Sequence, residues 1–391
     1  MKFDFDKVVD RHGTKCLKYD FAKERGRSDD MLPLWVADMD FQTAPGIQKS
    51  LSDAVAHGIY GYSEGKDDYF QAAAGWYEKH FGWKVEKEWL IKTPGVVFAL
   101  AMAVKAYTKE GDAVLLQQPV YYPFSEVITD NHRRLINSPL QQIDGHYEIN
   151  FEEFEQKIVE ENVKLFLMCS PHNPVGRVWK EWELRKIGDI CLKHNVLVVS
   201  DEIHSDFTYG ENIHHVFASL DEKYAAITTT CTAPSKTFNI ARLQISNIWI
   251  SNPELRARFR AEVTAAGYSQ VNLMGLVACQ AAYETGEEWL KELKIYLEGN
   301  LDYVRTFLKE NLPEIKLTEP EGTYLLWLDF KSLGMKEEQL KDLVENKAKL
   351  WLDSGAMFGP DGEGFERINI ACPREILKQA LTQLAESVHD R

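Results

Sequence analysis

The six cysteines, at positions 16, 169, 191, 231, 279 and 372, include no Cys-x-x-Cys pair. Most of them sit in apolar runs, which argues for buried, reduced thiols rather than disulfides or a zinc site. Among eleven histidines, His214 and His215 are neighbours, but no His-Glu-x-x-His helix exists, and no metal is assigned. No apolar stretch approaches the roughly 20 residues that a bilayer-crossing helix needs. The amino terminus, Met1 to Asp6, also lacks a long apolar segment, so the expectation is a cytoplasmic protein with no membrane partner. Positive charge is in short supply: 45 Lys and Arg face 60 Asp and Glu, a net charge of -15. Such a chain offers no basic face for nucleic acid. Internal repeats, low-complexity tracts and flexible linkers are missing too. What remains is small-molecule chemistry on 391 residues of 45% hydrophobic content, enough for one large core and a smaller second one.

The most informative residue present is Lys236, in the run Cys231-Thr-Ala-Pro-Ser-Lys-Thr-Phe-Asn239. It lies downstream of Ser170-Pro-His-Asn-Pro-Val-Gly176 and of Asp201-Glu-Ile-His204. An amine, a carboxylate and an amide in this order suit pyridoxal phosphate. Lys236 can form the Schiff base with the cofactor aldehyde. Asp201 can sit against the pyridine nitrogen and keep it protonated, and Asn173 can donate to the ring hydroxyl oxygen. Each follows a strand-like run. Lys164 to Cys169 and Val196 to Ser200 are apolar without alternation, as in parallel strands buried on both faces, and Ala225 to Cys231 is a weaker third, rich in β-branched residues. Ligands of open α/β sheets bind at the carboxyl edge of such strands.

With these motifs the chain resembles the fold-type I pyridoxal-phosphate enzymes, the aspartate aminotransferase superfamily. Trp35 to Phe41, Gln118 to Phe124, Ser170 to Arg177, Val199 to Ser205, Ser235 to Asn239, Glu321 to Asp329 and Arg367 to Arg374 resemble in particular its cystathionine β-lyase, or carbon-sulfur lyase, branch. The resemblance implies an α/β fold: a large domain with a mostly parallel, doubly wound sheet at 46–285, and a smaller α+β domain from 1–45 and 286–391. Helical patterns cover Gln71 to His80, Glu152 to Glu161, Glu181 to His194, Glu287 to Asn311 and about Lys336 to Asn346, with a strand at Thr323 to Asp329.

Further site residues come with the resemblance. Tyr121 matches the aromatic that stacks on the cofactor ring and can help the leaving group, although two tyrosines between prolines also suit a packed loop. His204 either orients the ring hydroxyl or is a satisfied structural histidine. Thr93-Pro-Gly-Val-Val can open a helix whose amides at Gly95, Val96 and Val97 face the phosphate, with Thr232 and Ser235 adding hydroxyls. Tyr62, in Tyr60-Gly-Tyr-Ser-Glu-Gly65, matches the tyrosine that reaches the neighbouring subunit's phosphate, which implies a homodimer. Two positions depart from the pattern. Gln244 stands where relatives commonly place a phosphate-binding arginine, and Arg242 either shares the phosphate charge or points to solvent.

Arg367 is the candidate for the carboxylate of a small amino-acid substrate, since alternation in Arg367-Ile-Asn-Ile-Ala puts both isoleucines on the opposite face. Arg374 competes with it. The backbone near Val36 and Ala37, and Asn173, would contact the same carboxylate. The implied activity is β-elimination of cystathionine, cysteine or a related thioether to a thiol, pyruvate and ammonia. Amino transfer uses the same lysine, aspartate and arginine and stays open as the alternative. A regulatory binding role is the alternative of another class.

Overall fold

The computed structural model describes residues 1–391. Its centre is a seven-stranded sheet in the order Leu90–Thr93, Ser246–Trp249, Thr228–Thr232, Leu197–Asp201, Leu165–Cys169, Ala113–Leu116, Arg134–Asn137. Only Ser246–Trp249 runs antiparallel to its neighbours; the other neighbouring pairs are parallel. Ala113–Leu116, Leu165–Cys169 and Thr228–Thr232 are buried at every position. Helices cover both faces, which is why these strands read as continuous rather than alternating runs. A second, antiparallel sheet has the order Lys316–Thr318, Leu325–Asp329, Phe365–Asn369, Asp353–Ser354.

The expected helices are present at Asp67–Phe81, Phe151–Glu160, Glu181–Lys193 and Glu287–Asn311. Three boundaries differ for local reasons. The strand expected from Ala225 begins at Thr228, because the Asp221 side chain accepts from the Lys223 amide and caps a helical turn at Glu222–Ala225. The strand expected from Thr323 begins at Leu325, since Thr323 has a left-handed φ of 68°. The helix expected to Asn346 is α-helical over Glu337–Lys341 and continues as a π-helix over Asp342–Lys347.

The amino-terminal arm has little regular structure, yet it is held tightly. Leu32–Pro33 pairs in parallel with Leu350–Trp351, and Trp35 stacks on Trp351 with centroids 4.5 Å apart. Lys18, only 1% exposed, donates to Asp40 at 2.7 Å, and Arg11 pairs with both Asp38 and Asp40. One apolar core joins Leu34, Phe41 and Ile47 to the long helix and to the carboxyl-terminal helix Arg374–His389. All six cysteines are free, and five are buried. No helix is long and apolar enough to cross a membrane.

Fully buried Asn300, midway along the long helix, ties this core to the second sheet. Its Nδ2 donates to the Ile370 and Cys372 carbonyls at 2.8 and 2.9 Å, and its Oδ1 accepts from Arg374 Nε at 2.6 Å. Replacing it with Leu leaves two buried carbonyls and the half-buried Arg374 guanidinium without this partner. The expected loss is about 2–4 kcal/mol of stability, read as a fall in the urea midpoint at unchanged slope.

Candidate active site

At the carboxyl edge of the large sheet lies a cavity of about 340 Å³. Its walls bring together residues from four connections: Asn173, Asp201, Lys236 and the helix start at Gly95–Phe98. Asp201 ends its strand in register with Cys169 on one side and Cys231 on the other. Lys236 follows the adjacent strand on the short helix Pro234–Thr237, which Pro234 starts. Its Nζ donates to the Ala37 carbonyl at 2.7 Å, and Ala37 also lines the cavity. Tyr121, His204 and Ser235 complete the wall.

Burial sets the charge states. It pushes the Lys236 ammonium down to about 8; Arg367 pushes the same way, while Asp38 and Asp201 oppose it. It pushes the Asp201 carboxyl up to about 7, against one hydrogen bond from the Ile203 amide at 3.2 Å and the attraction of Lys236. His204 is driven well below its ordinary value by burial, Lys236 and Arg367, and is neutral. Its Nδ1 has no hydrogen-bond partner. Burial raises the Tyr121 phenol above its ordinary value and keeps it protonated.

Arg367 is 2% exposed and does not itself line this cavity; it meets the wall through Asn173. It donates to Asn173 Oδ1 at 3.0 Å and to the Trp35 carbonyl at 2.8 Å, and pairs with Asp353. The bond to Oδ1 fixes the Asn173 amide and leaves its Nδ2 to donate into the cavity. Ile368 and Ile370 lie in the core. On the Arg367 face, Asn369 Nδ2 donates to the Val36 and Asp38 carbonyls at 2.6 and 2.5 Å. Arg374 lies elsewhere, donating to Asn300 against the long helix.

Whether pyridoxal phosphate fits can be tested on this donor set. The helix Val96–Tyr107 starts at the cavity with no side-chain cap, so its first amides are free for an anion. A Cβ added at Gly95 would meet no atom within 4 Å, so space exists in front of those amides. A buried carboxylate raised to about 7 matches a protonated ring nitrogen, and a depressed lysine matches an aldehyde. The residues fit the cofactor.

One expectation needs correction. Thr232 does not face the cavity: it shares a strand with Cys231, alternation turns it to the other face, and its hydroxyl donates to the Asn247 carbonyl and accepts from Trp249 Nε1. Gln244 lines the cavity, while Arg242 lines a separate surface depression. Tyr62 is 96% exposed and takes no part in this chain's own cavity. Sequence reasoning assigned nothing to Asp38, Tyr324 or Asn369, though each stood inside a quoted motif. Tyr324 donates to the Ala37 carbonyl at 3.1 Å. Asp353 carried no sequence signal at all.

This sheet order, cleft and donor set define a fold-type I pyridoxal-phosphate protein. The chain belongs to the aminotransferase class I and II family, whose model matches residues 30–384. It is 43% identical over 381 residues to cystathionine β-lyase PatB of Bacillus subtilis, covering 97% of this chain and 98% of that protein. Cystalysin from Treponema denticola, whose crystal structure contains pyridoxal 5'-phosphate, superposes with a TM-score of 0.96 at 38% identity, covering 100% of both chains. The pyridoxal-phosphate-bound C-S lyase of Staphylococcus hominis gives 0.93 at 33% identity, covering 99% of this chain and 98% of that one.

The raised Asp201 carboxyl has a signed consequence for stability. Between its ordinary 3.8 and about 7 the folded state binds the extra proton, so stability falls as pH rises through that window. In cofactor-stripped protein, Asp201→Asn is expected to be more stable than the parent at pH 8, by about 2–4 kcal/mol. Loss of the attraction to Lys236 trims the gain. The two urea midpoints should converge near pH 4.

Proposed function

We propose that this chain is a pyridoxal-phosphate-dependent carbon-sulfur β-lyase that cleaves cystathionine or a related β-thioether amino acid. The observation that carries the reading is full-length 43% identity to a cystathionine β-lyase, on a chain with Lys236, Asp201 and Asn173 at the edge of the large sheet and Arg367 of the second sheet bonded to Asn173. Bound pyridoxal phosphate supplies the electron sink for negative charge on the substrate's α-carbon. Lys236 anchors the cofactor. Its depressed value, about 8, leaves a fraction of the amine neutral near neutral pH, able to take the α-proton. Asp201 provides the fixed negative charge for the ring nitrogen, and His204 and Asn173 line the ring. The amides of Gly95, Val96 and Val97, with the Ser235 hydroxyl, hold the phosphate.

Arg367 and the Asn173 amide grip the substrate carboxylate, with the backbone at Ala37 beside them. Arg367 is already oriented by Asp353 and the Trp35 carbonyl, so little ordering is required on binding. The Cβ–S bond then breaks with its electron pair on sulfur. Tyr121, protonated at neutral pH, would cover the ring and give sulfur its proton. The three-carbon fragment hydrolyses to pyruvate and ammonia.

The active unit in this reading is a homodimer of two such chains, each with a cofactor-binding domain at 46–285 and a smaller domain from 1–45 and 286–391, working in the cytoplasm. Support for the second copy is the exposed segment with Ile59, Tyr60 and Tyr62. Tyr62 reaches the neighbouring subunit's phosphate.

Two measurements check these assignments. Purified protein with added pyridoxal phosphate and no keto acid should release pyruvate from L-cystathionine, and Lys236→Ala should lose at least about 1,000-fold in rate. Strict dependence on a keto-acid acceptor would make the protein an aminotransferase instead. Tyr62→Ala should weaken cofactor retention about tenfold in a protein that sediments as a dimer; unchanged retention would remove Tyr62 from the site.

A further inference from the structure

The loop that follows Asp201 has two sides. Asp201, Ile203 and His204 line the cofactor cavity, while Ser205, Asp206 and Thr208 line a second cavity of about 520 Å³. The end of the helix Asp67–Phe81 and the first turns of the helix Glu287–Asn311 supply much of the remaining wall. Two contacts tie this wall to the cofactor residues. Asp206 accepts from the hydroxyl of Thr237, the residue after Lys236, at 2.6 Å, and from Trp76 Nε1 at 3.1 Å. His214, 5% exposed, bonds through Nε2 to Glu202, the residue after Asp201, at 2.9 Å. An occupant of the second cavity therefore touches groups that hold the neighbours of both Lys236 and Asp201.

The uncommitted charge in this cavity is positive. Its acids are taken: both oxygens of Asp206 accept hydrogen bonds, and Glu287 pairs with Lys79. Lys294 is half-buried in the wall and pairs with no acid. Burial pushes its ammonium down, while Asp206 and Glu298 pull the other way. Lys291, one turn earlier on the same helix, lines the cavity and is unpaired too. Ser205 is 4% exposed, and its hydroxyl bonds to no other group of the chain. An ammonium withdrawn from water without a partner is costly, and an anion relieves the cost. The lining at Phe81, Ile213, Leu290 and Ile295 is apolar, so the matching anion carries a hydrocarbon body.

We infer that this cavity binds a small organic carboxylate, with its charge on Lys294 and its apolar body against Phe81 and Leu290, and that the Asp206–Thr237 bond carries the effect of binding to the cofactor. The site lies outside both the cofactor cavity and the substrate-carboxylate grip, so the inference stands apart from the lyase reading.

The test titrates holoenzyme with isovalerate, a branched carboxylate with no amino or keto group to react with the cofactor. Binding is read by equilibrium dialysis, and coupling by the visible absorbance of the bound cofactor. Saturable binding with a change in that absorbance is expected. Lys294→Gln should weaken the affinity about tenfold, and Lys294→Arg, which keeps the charge, should retain it. Cofactor content and urea midpoint report that each variant is folded and loaded. No retained isovalerate, or retention unchanged in Lys294→Gln, would overturn the site. Binding that leaves the cofactor absorbance untouched would overturn the coupling.

Discussion

Four successive backbone carbonyls, from Trp35 to Asp38, accept hydrogen bonds from side chains far away in the sequence, and the site depends on them. Trp35 accepts from Arg367, Val36 and Asp38 from Asn369, and Ala37 from both Lys236 and Tyr324. A backbone segment at the floor of a cleft must have its polar groups satisfied. Here the satisfaction comes from side chains instead of a strand ladder, so the segment can stay irregular and still be fixed. Asn239 extends the arrangement, accepting from the Met39 amide and donating to the Met39 and Phe41 carbonyls. On the far side Arg11 and Lys18 hold the carboxylates of Asp38 and Asp40. The same bonds that pin the amino-terminal arm therefore hold the lysine in the cavity and the arginine against Asn173 on its wall.

The charge arrangement follows from the same burial. A lysine pushed down and an aspartate pushed up within one cavity are two results of a single cause, the removal of water from the carboxyl edge of the sheet. Neither is matched by a direct ion pair. Lys236 rests on a neutral carbonyl and Asp201 on one amide. That leaves an amine and a carboxylate held ready for a ligand that carries both an aldehyde and a basic ring nitrogen. Arg367, in contrast, is balanced by Asp353, and this balance lets a guanidinium remain buried beside the lysine.

Much of this was legible in the chain. Buried parallel strands have no alternation to hide, so Leu165–Cys169 and Leu197–Asp201 could be read within a residue, and the helix Glu287–Asn311 could be read from its amphipathic period. Residues just past such strands fall at the sheet edge by topology, which is why Asn173, Asp201 and Lys236 were found. Thr232 was misplaced because it is the last residue still within its strand, where alternation decides the face. Tyr324, Asn369 and Asp38 were present in recognisable motifs, but their work is done on backbone carbonyls that no sequence pattern marks.

By itself, then, the sequence determined the sheet strands, the order of amine, carboxylate and amide along them, and the family to which they belong, because these follow from local period and from chain order. Tertiary structure alone decided that the arm at 35–38 becomes the floor of the cleft, that Asp353 balances Arg367, and that the loop after Asp201 walls a second cavity. Those outcomes depend on contacts between segments hundreds of residues apart, where burial and hydrogen-bond satisfaction are settled only once the two sheets are packed together.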